Sequence, residues 1–319
     1  MIYYSPILAA LVTILLTAIF LRSKLGKAMQ DVPNARSLHT RPTPRIGGVA
    51  LLAGVMSGWM LMLDSLTWWV TLPLLGLFVV SLADDMRNLP VRQRLLVHLL
   101  AAAILVVGSG VFAQQNFAIS LVVLLLTVWM TNLFNFMDGS DGLAGGMALF
   151  GFGFYGIAAL EQHAIFALLN FTVAAAALGF LIHNFHPAKI FMGDAGSIPL
   201  GFLAMAMGFW GWQQGCWGMW FPLLVFSPFI VDATVTLVRR TLRGARITEA
   251  HREHYYQRAV QMGWSHRKVA YAEYALMLFC GVSGLAIVQQ AWPWQVLGLW
   301  TMIYFILMRA LDARWKKHR

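Results

Sequence analysis

Charge is scarce in this chain: 11% of its 319 residues are Asp, Glu, Lys or Arg. A soluble domain carries about a quarter, so an ordinary water-soluble globule is excluded. Cysteine is scarcer still. Cys216 and Cys280 are too few and too far apart for a disulfide framework or a cysteine zinc site. No repeat of fixed period and no low-complexity linker breaks the chain, so residues 1–319 read as one domain. What is abundant is apolar: 59% of the residues are hydrophobic, in runs that recur from end to end. Runs of roughly 20 such residues are transmembrane helices. The chain is therefore expected to be an all-α polytopic membrane protein. The first run, SPILAALVTILLTAIF, has its basic residues Arg22, Lys24 and Lys27 after it, the reverse of a signal peptide.

The hydropathy pattern predicts about eleven spans, near 3–22, 46–63, 66–83, 95–112, 118–136, 144–160, 164–183, 197–212, 218–238, 269–289 and 293–310. The loops between them are not alike. Every Lys and Arg falls within 22–45, 84–94, 184–196, 239–268 or 309–319, and none lies in the loops near 64, 115, 162, 214 and 291. Basic loops stay in the cytoplasm. This predicts a periplasmic N-terminus and a cytoplasmic C-terminus, and it assigns the net charge of +10 to membrane orientation rather than to nucleic acid. The acidic residues Asp84, Asp85, Asp138, Asp141 and Asp194 then all gather at the cytoplasmic face.

Four polar stretches carry the candidate chemistry. SLADDMRNLPVRQR (81–94) ends a span with Asp84 and Asp85. Carboxylates oppose the dipole at a helix C-terminus, and adjacent ones repel unless a metal or arginine compensates. A purely structural role there predicts that Asn is harmless or mildly stabilising. NLFNFMDGSDGLAGG (132–146) spaces Asn132, Asn135 and Asp138 by three, on one face of an ending helix, with Asp141 beyond. Polar groups this dense at membrane depth usually line a site. HNFHPAKIFMGDAGS (183–197) sets Asp194 between glycines before a span. Its helix N-terminus offers N–H donors suited to phosphate, Asp194 a hard oxygen ligand for Mg²⁺, and Phe191 a surface for a base. The last stretch, 239–268, has His251 and His254 three apart, a poor zinc pattern without cysteine. Beside a metal–phosphate centre its His and Arg side chains, Arg246 among them, would hold substrate phosphates, with Arg45 from the first loop. Asp232 is a weaker, intramembrane candidate. Carboxylates, a glycine turn and basic loops on one face suit metal-assisted phosphoryl transfer, with one soluble substrate and one lipid.

LADDMRN, NLFNFMDGSDGLAGG, HNFHPAKIFMGDAGS and HREH, with DVPNARSLHTRPTPRIGG before them, resemble the polyprenyl-phosphate N-acetylhexosamine-1-phosphate transferases (glycosyltransferase family 4), over about residues 31–268. That family includes O-antigen initiators and the muramoyl-pentapeptide translocase. The resemblance implies that undecaprenyl phosphate attacks the β-phosphate of a UDP-N-acetyl sugar, giving a lipid diphospho-sugar and UMP. It implies Mg²⁺, with Mn²⁺ as a substitute, and a cytoplasmic-face site in a bacterial inner membrane, built from loops 23–45, 84–94, 137–143, 184–196 and 239–268. It also implies a homodimer as a possible assembly. By motif, Asp194 and Asp138 match metal positions, and Asp84 and Asp85 the paired aspartates, one of them proposed as a base. Asn184, Phe191 and Asp141 match uridine positions, and Asn135 and Asp138 positions near the diphosphate. His251-Arg-Glu-His254 departs from the translocase's triple histidine, which favours an O-antigen initiator of the N-acetylfucosamine or N-acetylglucosamine type over a muramoyl-pentapeptide enzyme.

Two other classes fit parts of the pattern. A transporter would place its acids near the bilayer midplane, often in repeated halves. A lipid pyrophosphate phosphatase would need no uridine turn. The charge distribution makes the topology testable: a reporter fused after Lys268 should read cytoplasmic and one near Gln214 periplasmic. Inversion of either signal would disperse the polar loops to both faces.

Overall fold

The computed structural model describes residues 1–33, 37–246, 251–290 and 293–318. Residues 34–36 and 247–250, in the first and last of the expected polar loops, lie outside them, as do 291–292 and 319. The architecture is helical. In chain order come α1 (Ser5–Arg22), the short α2 (Lys24–Ala28), β1 (Gln30–Asp31), β2 (Thr43–Pro44) and α3 (Gly47–Trp59). Next are α4 (Trp68–Arg87), α5 (Val91–Gly108), the short α6 (Val111–Gln114), α7 (Phe117–Phe136) and α8 (Leu143–Ala159). Then follow α9 (Ala164–Asn184), α10 (Asp194–Gln213), α11 (Trp220–Val225) and α12 (Ser227–Leu242). Last are α13 (Tyr255–Gln261), α14 (His266–Ala286) and α15 (Trp294–His318). The two strands form an antiparallel pair, Gln30 opposite Pro44.

Among the described residues eight helical stretches are long and apolar enough to cross a membrane, not eleven. The three others differ for physical reasons. The helix α8 has 17 residues. The run read as 218–238 is two helices, α11 and α12, meeting at Phe226 just before Ser227 and Pro228. The third, α10, is buried without a break from Ala195 to Gly211. Protein rather than lipid surrounds it, so it needs no strongly apolar exterior.

Close packing around α10 sets the site. Trp59 on α3 donates its indole N–H to the Leu169 carbonyl of α9 at 3.0 Å, and Tyr155 on α8 donates to Ala204 O of α10 at 3.0 Å. Backbone bonds from Gly47 to Phe191 O (2.9 Å) and from Gly48 to Met192 O (2.8 Å) pin the start of α3 to the segment entering α10. Helices in membranes approach through small residues. At Gly48 the approach leaves no room for a Cβ, which would meet Gly196 Cα at 2.5 Å and the Met192 carbonyl oxygen at 2.7 Å. Both neighbours are backbone and cannot swing away. Gly48→Ala should therefore cost about 1–3 kcal/mol of stability, read as a lower melting temperature in detergent. Gly153→Ala, where a Cβ would meet nothing within 4 Å, should leave the melting temperature unchanged or raise it.

Candidate active site

The site begins at a helix start. Gly193 has φ +72, a left-handed turn, and α10 begins at the next residue. Its first amides need acceptors. The Asp85 carboxylate, from the last turn of α4, supplies them: it accepts from Asp194 N at 3.1 Å and Ala195 N at 2.9 Å. Arg45 stands beside it, with Nε 3.3 Å from Asp85 Oδ1 and a second bond to the Asp85 carbonyl at 3.2 Å. Arg45 is held there because Phe191 N donates to Pro44 O at 2.7 Å, which makes 44–48 and 191–192 neighbours.

Asp84, adjacent in sequence, has another task. It accepts from Leu89 N at 2.6 Å and from Arg94 at 2.7 Å. Arg94 also donates to Asp194 at 3.2 Å, so one guanidinium joins the two carboxylates. Asp194's other oxygen accepts from Asn135 Nδ2 at 2.9 Å, and the same amide reaches Ser197 at 3.0 Å. Asn132 donates to its own helix, at Val128 O, 2.7 Å away. Helix α7 stops at Phe136, so Asp138 is not on its face but in the turn beyond it. Among the described residues no hydrogen bond reaches the Asp138 carboxylate. Burial pushes this carboxyl well above the usual range; the charges of Asp194 and Asp85 add to that and Arg45 opposes it.

A cleft of about 780 Å³ joins these groups. Its walls draw on all five expected polar loops, with Arg45, Asp84, Asp138, Asp141, Asn184, Phe191, Asp194, His251 and His254 among the lining residues. On the far wall, Asp232 repeats the device used by Asp85. It accepts from Tyr255 N (2.9 Å) and Tyr256 N (3.0 Å) at the start of α13, and His254 Nδ1 lies 3.3 Å away. The His254 ring is flanked by Phe136 and Tyr256, with centroids 6.3 and 5.9 Å distant. Burial, with His254 and Arg240 adding to it, lowers His251 to about 4, so its imidazole is neutral near pH 7.

Residues 67–211 match the glycosyl transferase family 4 model. A decaprenyl-phosphate N-acetylglucosaminephosphotransferase of Mycolicibacterium smegmatis is 32% identical, over 74% of this chain and 70% of the relative. The chain belongs to glycosyl transferase family 4. A probable undecaprenyl-phosphate N-acetylglucosaminyl 1-phosphate transferase of Bacillus subtilis is 29% identical over 95% of this chain and 88% of the relative. A phospho-N-acetylmuramoyl-pentapeptide-transferase of Lactobacillus johnsonii is 31% identical, over 71% and 79%.

Within this family 4 protein several side chains sit differently from their sequence reading. The N–H donors of the Gly-Asp-Ala-Gly-Ser turn are not free for phosphate, because Asp85 holds two of them. The paired aspartates are compensated by arginines, one each, and their loss should not be harmless. Asn184 lines the cleft, yet its amide is committed to Gly142 N (3.0 Å) and Ile190 O (2.9 Å). Asp141 is paired with His186 at 2.7 Å. Arg246 is exposed and does not line the cleft. Its carbonyl accepts from Arg240 at 3.4 Å.

Sequence reasoning passed over Arg94, which bridges Asp84 and Asp194. It also passed over the stacked pair His186–His266 (5.5 Å, 11°), in which His266 bonds Ser140 at 2.8 Å. The contacts that give them away are not local: Arg94 lies 100 residues from Asp194, and His266 126 residues from Ser140. Asp232 emerges as an anchor for the histidine segment. Asp232→Asn should lower stability by about 1.5–3 kcal/mol, the scale of hydrogen bonds to a charged group. It should also speed proteolysis near 251–258. An unchanged cleavage rate would mean that the segment is held elsewhere.

Proposed function

We propose that this chain transfers an N-acetylhexosamine 1-phosphate from a UDP-sugar to undecaprenyl phosphate, releasing UMP. That step would start O-antigen or a related surface polysaccharide at the cytoplasmic face of a bacterial inner membrane. The observation that carries the reading is the convergence, in one cleft, of Asp84, Asp138, Asp194, Arg45, Arg94 and the His251–His254 segment. The relatives' names, polyprenyl-phosphate N-acetylglucosamine 1-phosphate transferases among them, support polyprenyl-phosphate sugar-1-phosphate transfer as the class. The N-out, eleven-passage topology belongs to the same proposal, with α8, α10 and the broken α11–α12 as the additional passages.

The residues fit a hard divalent cation. Asp138 has no hydrogen-bond partner among the described residues and is crowded by Asp194 and Asp85, a charge arrangement that a cation would relieve. No three His, Cys, Asp or Glu side chains cluster as ligands among the described residues. Mg²⁺ fits such a site because it is commonly held by one or two carboxylates plus substrate phosphates and water. Asp138 and Asp194 would hold it, with Mn²⁺ as a substitute. Bound there, it would neutralise the diphosphate oxygens.

In the reaction an oxygen of the lipid phosphate forms a bond to the β-phosphorus. The bond between that phosphorus and the bridging oxygen breaks, and UMP leaves with the electron pair. Arg45 and Arg94 would orient phosphate oxygens while staying tied to Asp85 and Asp84. Phe191 and Asp141 would face the uridine, and His251 and His254 the sugar. A phosphomonoester's second pKa is about 6, so the lipid phosphate is mostly dianionic at neutral pH and asks little of a base. On this reading Asp84 and Asp85 act by holding the arginines and α10, rather than by taking a proton.

The direct test incubates purified protein with undecaprenyl phosphate, Mg²⁺ and a panel of UDP-sugars, and measures UMP. No release with any sugar would end the proposal; phosphate release from undecaprenyl diphosphate would replace it with a phosphatase. Two variants separate chemistry from architecture. Asp138→Asn should cut turnover by roughly 10²-fold or more, the scale of losing one preorganised electrostatic group, with no fall in melting temperature. Asp84→Asn should lower the melting temperature by an amount equivalent to about 1.5–3 kcal/mol, the worth of a charge-assisted bond.

A further inference from the structure

Beyond Arg94, helix α5 reads LLVHLLAAAILVVG, and His98 is its one polar side chain. It stands one turn past Arg94 on the same face. The residue is buried, with 5% of its surface exposed. Its Nδ1 has no hydrogen-bond partner among the described residues. An unpaired buried nitrogen is costly, and nothing in the fold asks for it: a leucine would continue α5 without that cost. The ring nevertheless lines the cleft, as does Asn132 of α7.

The surroundings of His98 change character across one turn. On one side are Arg94 and the carboxylates that it joins, Asp84 and Asp194. On the other the cleft is walled by Leu95, Leu125, Val128 and Trp129 of α5 and α7. Leu95 is 44% and Leu125 55% exposed on the outer surface of a membrane-spanning region. His98 therefore marks the point where a polar floor meets an apolar flank open towards lipid. A ligand lying across that boundary has an anionic head and a hydrocarbon chain. Arg94 answers the charge, His98 and Asn132 offer directional hydrogen bonds, and the leucine side takes the chain.

We propose that His98 is a positioning residue for the phosphate of the lipid acceptor, a polyprenyl phosphate lying between α5 and α7 with its chain over Leu95 and Leu125. This rests on the transfer reaction proposed above. The side chain sets where the lipid phosphate stops, and so how its oxygen is presented to the nucleotide sugar. It has no role towards the sugar or the base, whose contacts lie on the Phe191 and His254 sides of the cleft.

The test compares wild type with His98→Leu and His98→Gln, each checked by melting temperature. Steady-state UMP release is measured while undecaprenyl phosphate and the UDP-sugar are varied separately. His98→Leu should raise KM for the lipid roughly ten- to a hundredfold, the range expected for losing one hydrogen bond to a charged group. KM for the UDP-sugar should stay the same, and His98→Gln, which keeps a polar donor, should recover most of the loss. Binding without any nucleotide sugar, by native mass spectrometry, gives arms with undecaprenyl phosphate, undecaprenol, a phosphatidic acid and inorganic phosphate. Wild type should prefer undecaprenyl phosphate over the other three, and His98→Leu should lose that preference while still taking up undecaprenol.

Equal lipid KM in wild type and His98→Leu, or a parallel rise in both KM values, would overturn the assignment. So would a His98→Gln no better than His98→Leu. Preference for phosphatidic acid or for inorganic phosphate would assign the seat to a bilayer headgroup or a free anion instead. Wild type that binds undecaprenyl phosphate but releases no UMP would refute the transfer reaction and leave the binding result to judge His98.

Discussion

Helix α10 is buried from Ala195 onward, and the amides at its start need acceptors. An unsatisfied N–H in such surroundings costs several kcal/mol, so something in the chain must accept them. Asp85 does, and much of the site follows from that one contact. For the carboxylate to reach Asp194 N and Ala195 N, the last turn of α4 must end against the first turn of α10. A negative group at a helix N-terminus is favoured by the dipole, which offsets its unfavourable place at the C-terminus of its own helix. Gly193 must hold φ +72 for the chain to enter α10 there, and a Cβ on it would meet Asp85 Oδ2 at 2.7 Å and Arg45 Cγ at 3.0 Å. Asp194 is thereby fixed within reach of Asn135 and Arg94.

The same solution appears a second time. Asp232 in α12 accepts the amides of Tyr255 and Tyr256 at the start of α13. Gln257 closes the cap by accepting from His254 N at 3.2 Å. This fixes a short helix that could not stand alone. It also directs Tyr256 to the Phe136 carbonyl at 3.0 Å, next to Asp138. Asp312 of α15 ties α13 to α12 by accepting from Arg258 of α13 at 3.1 Å and from Arg239 of α12 at 2.6 Å. The two walls of the cleft are therefore each built from a helix start clamped by an aspartate from an earlier helix. Neither clamp depends on a bound ligand.

Much of this was legible in the sequence, and the part that was not has a common cause. Helical, membrane-spanning character follows from composition, because apolar runs of this length have few other uses. The loops that supply the cleft were legible because polar residues at the ends of apolar runs are few and concentrated. Partners were not. The sequence puts Asp84 beside Asp85, which suggests a pair with one task; the fold sends the first to Arg94 and the second to α10. Dipole reasoning on α4 alone leaves out the helix that α4 abuts, whose first amides Asp85 accepts. Asn184 looked like a uridine ligand by resemblance, yet both its polar atoms go to backbone. Among the described residues, eight of the eleven expected spans are long and apolar enough by themselves; α10 is enclosed by protein and α12 carries Asp232, Arg239 and Arg240, so neither is among them.

Counting hydrogen bonds therefore separates roles that residue type cannot. In a low-dielectric site a polar group is either committed to the fold or is costly. Asp84, Asp85, Asn184 and Asp232 are committed. Asp138 and one nitrogen of His98 are not, among the described residues, and both face the same cleft. Asp138 lies in the turn after α7 with Asp194 and Asp85 as neighbouring charges, and His98 one turn along α5 from Arg94. A reaction that joins a hydrocarbon-borne phosphate to a charged, water-soluble donor needs uncommitted groups at these two places: one where negative charge accumulates, the other where the lipid head must stop. Among the described residues the fold leaves both uncommitted, while Asp84, Asp85, Asn184 and Asp232 are spent on holding its backbone in place.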